Sequence, residues 1–335
     1  MKDHLLTWLG AQRSILRVLL PLVIVLVIGS AFHSNGAFFA WETHRAVLRE
    51  VSVHGILACG MTLVVVAGGI DLAVGSVLAL GAVSIALLTM QRGWPAPLAV
   101  GAVLAMGAAC GATSGTLVAF FRAPAFVASL AMLVFARGLA KLCADGKKVT
   151  THFVGPDGLD RTVPLPALFE GLDDRVIGGQ LSVVTLVFVA CAGVTWLLLS
   201  RMRIGRYLYA TGGNLEAARL SGVPVRTAVI LAFVFSGVFS AIAGICQAAQ
   251  ETHGDPETGM GYELDAIAMV VLGGASLTGG RGNMGGTLVG VLTVGYLQKV
   301  LSLNAFSLEA RLMLTGAILV AAVLLQSRAM RGTEG

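Results

Sequence analysis

Ten apolar runs separated by short polar stretches dominate this sequence of 335 residues. A helix needs about 20 mainly apolar residues to cross the hydrocarbon core of a bilayer. Only 12% of the residues are charged, whereas a soluble domain carries about 25% charged residues. The sequence therefore predicts an all-α polytopic membrane protein, with a single transmembrane domain over 1–335 embedded in a lipid bilayer. We place about ten transmembrane helices at 15–32, at two positions within 51–90, and at 97–121, 125–143, 181–200, 227–250, 264–277, 287–303 and 309–325.

The run 51–90 holds two spans only if the chain reverses near its middle. That middle contains Gly68, Gly69 and Asp71, residue types that suit either a tight turn or a broken helix. An acid within an apolar region is costly and is by default a functional-site hypothesis. Asp71 is therefore either a pathway residue or a capping acid in a turn at the membrane edge, and the flanking glycines slightly favour the cap. All three residues are candidates for a pathway or gate.

Basic residues are concentrated on one side of the predicted topology. Ten spans put both termini on the same side, which then holds 12 of the 23 basic residues but only four of the 18 acidic residues. Cytoplasmic loops of membrane proteins carry such an excess of Lys and Arg. We therefore expect both termini and the arginine-rich stretch 201–226 to be cytoplasmic, and the acidic stretch 144–180 to be a long loop on the outer side.

The predicted topology also contains a possible inverted repeat. Spans 2–5 begin on the outer side, whereas spans 7–10 begin in the cytoplasm. Two blocks of four helices with opposite topology are what an inverted repeat produces, as in many transporters.

A short helix with signals at both ends lies inside the stretch 201–226. Gly212 and Gly213 are expected to break the chain, and Asn214 is a good N-cap. Glu216 lies in the first turn, where a negative charge suits the helix dipole, and Gly222 can close the helix in a left-handed conformation. About seven helical residues are marginal alone in water. We therefore expect this helix to pack against something, either its own protein or a partner.

The motifs of several common function classes are missing from the sequence. There is no phosphate-binding GxxxxGK[ST] loop, no zinc or EF-hand spacing, and no catalytic triad or metal cluster. The net charge of +5 comes from basic residues scattered at the ends of the spans, which is not the basic patch of a nucleic-acid-binding protein. We therefore expect no enzymatic activity, no cofactor on this chain and no nucleic-acid partner.

Several polar residues near the later spans remain as candidates for a pathway or gate. Glu263 and Asp265 open the eighth span, where they either complement a helix dipole or face an external substrate entrance. Asn283 lies beside paired glycines, which permit either close helix packing or a broken helix lining a pathway. Arg137 and Lys141 lie one helical turn apart; we expect Lys141 to reach the outer surface and Arg137 to pair with an acid from another helix.

Three stretches together resemble a known family: GMTLVVVAGGIDLAVGSVLAL at 60–80, GRYLYATGGNLEAARLSGVPV at 205–225 and GYELDAIAMVVLGGASLTGGRGNMGGTLVGVL at 261–292. They are similar to the membrane-spanning permease subunits of bacterial ABC importers for monosaccharides, of the ribose, xylose and galactose type. The resemblance extends from about 51 to 325. It implies a multi-pass protein of the inner membrane that moves a monosaccharide inward by alternating access.

The resemblance also implies partners. It predicts a cytoplasmic ABC ATPase subunit that hydrolyses ATP, a second permease copy or paralogue, and a periplasmic sugar-binding protein, for which 144–180 and 251–262 are the candidate docking loops. In this family the short cytoplasmic helix is the coupling helix, which inserts into a groove on the ATPase. The matching positions here are Gly212, Gly213, Asn214, Glu216, Ala217, Ala218, Arg219, Ser221 and Gly222.

Two alternatives stay open beside this interpretation. The permeases for branched-chain amino acids have a related architecture. An ion-coupled secondary transporter would need no ATPase at all.

Overall fold

The structure is a computed structural model that describes residues 18–155, 157–307, 309–310, 313–314 and 316–317. Seven of its helices are long and apolar enough to cross a membrane. The helices are α1 (Val18–Ala31), α2 (Trp41–Val66), α3 (Val74–Ala86, continued by a π-helical turn over Leu87–Gln91), α4 (Ala96–Phe121), α5 (Ala125–Cys143), α6 (Ala167–Asp173), α7 (Val183–Ser200), α8 (Arg203–Gly213), α9 (Leu215–Leu220), α10 (Val225–Glu251), α11 (Tyr262–Leu272) and α12 (Met284–Leu303).

This helical architecture confirms an all-α polytopic membrane protein. Helices α4 and α5 lie within a residue of their predicted positions. The tenth predicted span, 309–325, lies mostly outside the described residues.

Helix α2 begins at Trp41, ten residues before the stretch 51–90 in which hydropathy placed the second and third spans. Two basic side chains of these first turns have partners in the polar segment 144–180. Arg45 donates to the carbonyl oxygen of Gly179, and Arg49 pairs with Asp173. Hydropathy alone penalises such residues, because it does not register partners that are distant in the sequence.

The polar segment 144–180 folds into small structured units. Strands β1 (His152–Val154) and β2 (Asp160–Thr162) form an antiparallel hairpin in which His152 pairs with Thr162. Strands β3 (Arg175–Val176) and β4 (Leu181–Ser182) pair in the same way, and α6 lies between the two hairpins. Within the first hairpin, the hydrogen bond from Arg161 holds the pKa of the exposed Asp157 carboxyl below its usual value.

Helix α10 is the central helix of the bundle and packs antiparallel to α4. Glycines on α4 make this contact close. A Cβ at Gly107 would lie 2.4 Å from the carbonyl oxygen of Gly237, and one at Gly111 would lie 2.1 Å from that of Phe233. Small residues let two helix backbones approach in this way, and dispersion contacts then hold the pair together.

The chain does not simply reverse between α2 and α3. Gly68 lies against Gly212 at the end of α8, yet three residues later Asp71 hydrogen-bonds Ser236 in the interior of α10. Residues 67–73 therefore return from the end of α2 into the bundle before α3 begins.

A second non-helical segment, 252–261, follows α10. The backbone of Gly254 pairs with that of Val149, and a Cβ on Gly254 would meet the carbonyl oxygen of Ala82 at 2.6 Å. Further along, a Cβ on Gly259 would meet the carbonyl oxygen of Gly75 at 2.6 Å. The segment therefore runs along α3, from its later turns towards its first turn.

Helix α11 starts where this second segment ends, so the prediction of a span over 264–277 was wrong in its bounds. The helix covers only Tyr262–Leu272, so it begins two residues before the predicted span and ends five residues before the predicted end. Gly259 and Gly261 adopt φ of 74° and 84°, which a glycine tolerates and most other residues do not.

Candidate functional site

Helix α9 has the caps that the sequence predicted. The Asn214 side-chain oxygen accepts a hydrogen bond of 2.9 Å from the backbone N–H of Ala217, which satisfies one of the free donors at the helix start. At the other end Gly222 adopts φ 77°, and the N–H of Val223 donates to the carbonyl oxygen of Ala218 at 3.0 Å. These bonds fix both ends of a helix of only six residues.

Most of α9 is exposed. Ala218 is its buried residue and contacts the rest of the protein, whereas Leu220 is 86% exposed and Leu215 is 52% exposed. The other exposed positions predicted for coupling are Gly213, Asn214, Glu216, Ala217, Arg219, Ser221 and Gly222. Leu215 and Leu220 are thus exposed apolar side chains among polar residues of α9.

Helix α8 precedes α9 and was missed by sequence reasoning. Gly212 and Gly213, expected to break the chain, are instead its last two helical residues, and the break comes at Asn214. Glycine weakens a helix, but packing compensates here. A Cβ on Gly212 would lie 2.0 Å from the carbonyl oxygen of Val66 and 2.5 Å from the nitrogen of Gly280, so no larger residue fits.

The end of α8 joins the two connections that follow α2 and α11. The N–H of Gly280 donates to the carbonyl oxygen of Val66 at 3.0 Å. A Cβ on Gly279 would lie 2.7 Å from the Cα of Gly68 and 2.8 Å from that of Gly212. We call Gly68, Gly212, Gly279 and Gly280 the glycine junction. The end of α8 is therefore in direct contact with both connections.

Asn283 and Gly69 lie close to the glycine junction. The Asn283 side chain caps α12 by accepting a hydrogen bond of 2.8 Å from the N–H of Gly286. Gly69 donates its N–H to the carbonyl oxygen of Val64, just after the end of α2. Asn283 also lines a cavity of about 250 Å³ with Trp196, Leu199, Ser200, Tyr209, Met284 and Gly285.

Asp71 is 4% exposed and lies away from this junction, inside the bundle. One carboxylate oxygen accepts a hydrogen bond of 2.7 Å from the Ser236 hydroxyl, and the other accepts one of 2.9 Å from the N–H of Ala73. The side chain thus ties the re-entrant segment 67–73 to α10, close to the capping interpretation and buried deeper than a membrane-edge turn.

Glu263 and Asp265 lie in the first turn of α11 but face different neighbours. A Cβ on Gly75 would be 2.8 Å from Oε2 of Glu263, so that carboxylate lies beside the start of α3. Oδ2 of Asp265 is 3.5 Å from Nε2 of His54 on α2. Asp71 is therefore buried against α10, whereas Glu263 lies beside α3 and Asp265 lies beside α2.

We call 67–73 and 252–261 the two re-entrant segments. Basic residues of α5 hold the second of them, 252–261. Arg137 donates to the carbonyl oxygens of Pro256 at 2.7 Å and Thr258 at 2.6 Å, so the predicted pairing with an acid was wrong. Lys141 pairs with Glu257 at 2.6 Å. The only sign of this contact in the sequence was the spacing of Arg137 and Lys141, which lie one helical turn apart. The groups that accept their hydrogen bonds are seen only in the structure.

The described residues contain no group of three or more His, Cys, Asp or Glu side chains that could hold a metal ion. The candidate functional features of the described residues are the exposed α9, the glycine junction behind it and the two re-entrant segments.

Comparison with known proteins identifies the type of molecule. Residues 44–323 match the family described as "Branched-chain amino acid transport system / permease component". The chain belongs to this family. It is 37% identical to the ribose import permease protein RbsC of Escherichia coli (strain K12), covering 96% of this chain and 95% of the relative.

Other curated relatives support the same assignment. RbsC of Bacillus subtilis (strain 168) is 35% identical over 92% of this chain and 91% of its own length. The xylose transport system permease protein XylH of Escherichia coli (strain K12) is 29% identical over 94% of this chain and 92% of its own length. No solved structure gives a significant match. The resemblance drawn from the three motifs is thus confirmed at the level of the family.

Proposed function

We propose that this chain is the membrane-spanning permease subunit of an ATP-driven importer and that it carries a monosaccharide inward. The observation that carries the proposal is the 37% identity to a ribose import permease over nearly the whole of both chains. Relatives named for xylose and fructose also match over at least nine-tenths of this chain. Because the aligned region spans nearly the whole chain, it includes the residues that form the proposed translocation pathway.

The charge distribution supports an inner-membrane orientation with both termini in the cytoplasm. Helices α8 and α9 then lie on the cytoplasmic side together with the arginines of 201–226. The hairpins of 144–180 and the start of the segment 252–261 lie on the opposite, periplasmic side, where a sugar-binding protein docks. The ten spans that the sequence predicts satisfy this orientation.

The two re-entrant segments support alternating access. A long helix precedes each of them, α2 before 67–73 and α10 before 252–261, and the two long helices run antiparallel. The first segment leads directly into α3, and the second contacts the start of α3 at Gly75. Such paired broken elements are typical of transporters built from inverted repeats, in which one half rocks against the other. A second copy or a paralogue of this chain completes the pathway.

Helix α9 is the proposed coupling element. The chain lacks a GxxxxGK[ST] motif, so ATP binds to a separate cytoplasmic ATPase subunit. The projecting Leu215 and Leu220 supply the apolar contact for that subunit. The glycine junction then passes the movement of α9 to the connections after α2 and α11.

The branched-chain amino acid alternative is less well supported, despite the family description. An amino acid needs partners for both a carboxylate and an ammonium, whereas the relatives that match over nearly the whole chain are named for ribose, fructose and xylose. Competition by excess leucine, without competition by ribose, xylose or fructose, would restore that alternative.

The proposal is tested by co-purifying the chain with the ATPase encoded beside it. We expect the ATPase to bind the wild type, and Leu220→Asp to abolish binding, since the change puts a charge on the docking surface. The matched control is Leu159→Asp, which changes a leucine that is 63% exposed on the opposite face.

Retention of the ATPase by a folded Leu220→Asp variant would contradict the role of α9. If the wild type binds no ATPase and takes up solute in an ion-dependent manner, the chain is a secondary transporter.

A further inference from the structure

A half-buried polar cluster joins α2, α11 and α12. The imidazole of His54 stacks on the Tyr262 ring, with 4.1 Å between ring centroids, and its Nε2 lies 3.5 Å from Oδ2 of Asp265. The side chain of Gln298 on α12 lies beside the Asp265 carboxylate. Glu251, at the end of α10, lies close enough for its charge to act on the Tyr262 hydroxyl.

This cluster opens onto the surface of the protomer. The side chains of His54 and Asp265 retain 15% and 19% exposure, and the adjacent Leu264 is 55% exposed. Carboxylates are strongly unfavourable against lipid chains, so ionisable groups within membrane-spanning regions face a water-filled cavity or the interior of a bundle. The face that carries the cluster therefore meets water or another polypeptide.

The chemistry of the four side chains matches a polyhydroxylated ligand. The carboxylate of Asp265 and the amide oxygen of Gln298 accept hydrogen bonds from hydroxyl groups, while imidazole and amide N–H groups donate to them. The tyrosine ring offers an apolar face beside these polar groups, and a few placed polar groups on an apolar wall are typical of small-molecule sites. A ligand carboxylate would be repelled by Asp265 and Glu251.

We propose that His54, Tyr262, Asp265 and Gln298 form a binding face for the hydroxyl groups of a neutral monosaccharide within the translocation pathway. This inference rests on the proposed function. It extends that function by assigning the contact with the cargo to one side-chain cluster, in which Asp265 is the main acceptor.

The first test measures access of water to the cluster and needs no transport. Asp265→Cys and Gln298→Cys are made in a Cys143→Ser background, because Cys143 is the exposed thiol among the described cysteines. We expect a membrane-impermeant maleimide to label both variants. Val189→Cys, 59% exposed on the apolar face of α7, should react only with a membrane-permeable reagent. Failure to label either cluster position, while Leu159→Cys is labelled, overturns the inference.

The second test measures uptake of radiolabelled ribose, xylose and fructose by the complete importer in proteoliposomes. We expect Asp265→Asn to lower uptake about tenfold or more, because a hydrogen bond to a charged acceptor is lost. Tyr262→Phe keeps the ring on His54 and tests the hydroxyl alone. The ATPase rate of both variants should stay near that of the wild type. Glu50→Gln is the control, since Glu50 pairs with Lys299 on the same two helices.

The outcomes separate the two proposals. Absence of ATP-dependent uptake of all three sugars by the wild type overturns the proposed function. Normal uptake by both Asp265→Asn and Tyr262→Phe, in an importer that transports a sugar, overturns this inference alone.

Discussion

At the scale of single residues, Asp71 shows how a buried acid is accommodated without a cation. Both of its oxygens have protein donors, from Ser236 and from the backbone of Ala73. Leaving a buried acceptor unpaired costs about 1–3 kcal/mol, and more for a charged group. The Ser236 hydroxyl is therefore expected to be a stabilising contact between the re-entrant segment and α10.

Replacing Ser236 by alanine tests this contact. We expect Ser236→Ala to lower the free energy of unfolding by about 1–3 kcal/mol, because one carboxylate oxygen loses its donor. Ser240→Ala is the matched control, since the buried Ser240 hydroxyl donates only to a carbonyl of its own helix. Thermal unfolding in detergent measures both variants. An equal loss of stability in the two variants would show that the contact with Asp71 does not stabilise the protein more than the Ser240 hydrogen bond does.

At the scale of elements, the end of α8 depends on how closely it approaches its neighbours. Two adjacent glycines have different surroundings there: a Cβ on Gly212 would collide with the backbone, whereas one on Gly213 would meet nothing within 4 Å. The pair therefore separates the effect of close packing from the intrinsic helix propensity of glycine.

Alanine substitutions at these two positions should have effects of opposite sign. We expect Gly212→Ala to destabilise the protein by about 1–3 kcal/mol through overpacking, and to weaken the dependence of uptake on ATP. Gly213→Ala should raise stability by roughly 0.5–1 kcal/mol, because alanine favours the helix more than glycine does. Thermal unfolding and the ratio of uptake to ATP hydrolysis measure the two effects. A neutral Gly212→Ala would argue against the glycine junction as a point of transmission.

The sequence predicted some elements well and missed others for a common reason. The caps of α9 were predictable because Asn214 and Gly222 act through their own neighbouring backbone. Helix α8 was not, because its glycines are explained by contacts with Val66 and Gly280, which are distant in the chain. The end of α11 was missed likewise, since the helix stops at Gly273, where a Cβ would lie 2.5 Å from the carbonyl oxygen of Gly286.

At the scale of the whole molecule, the two ends of the bundle differ in character. One end carries the arginines of 201–226 and the exposed α9, and the other carries the hairpins of 144–180. The proposed orientation assigns these ends to the cytoplasm and the periplasm. In this orientation, the proposed ATPase and the proposed sugar-binding protein contact opposite faces of the chain.

Labelling of single cysteines tests the orientation. In the Cys143→Ser background, we expect a membrane-impermeant maleimide to label Leu159→Cys in right-side-out vesicles and Ser221→Cys in inverted vesicles, because both positions are exposed at opposite ends. As the control, each variant is also tested in the other vesicle preparation, where it should not be labelled. Reversal of the pattern would place α9 outside and remove the ATPase from its proposed partners.

The sequence by itself determined the class of this protein, its family and the capped helix α9. These properties depend on composition, on long apolar runs and on signals within a few residues of one another, all of which are local. The tertiary structure decided what the remaining polar and glycine residues do. It joined Asp71 to Ser236, Arg137 to the carbonyls of 252–261, and His54 to Asp265, because these contacts arise only when helices distant in the chain pack together.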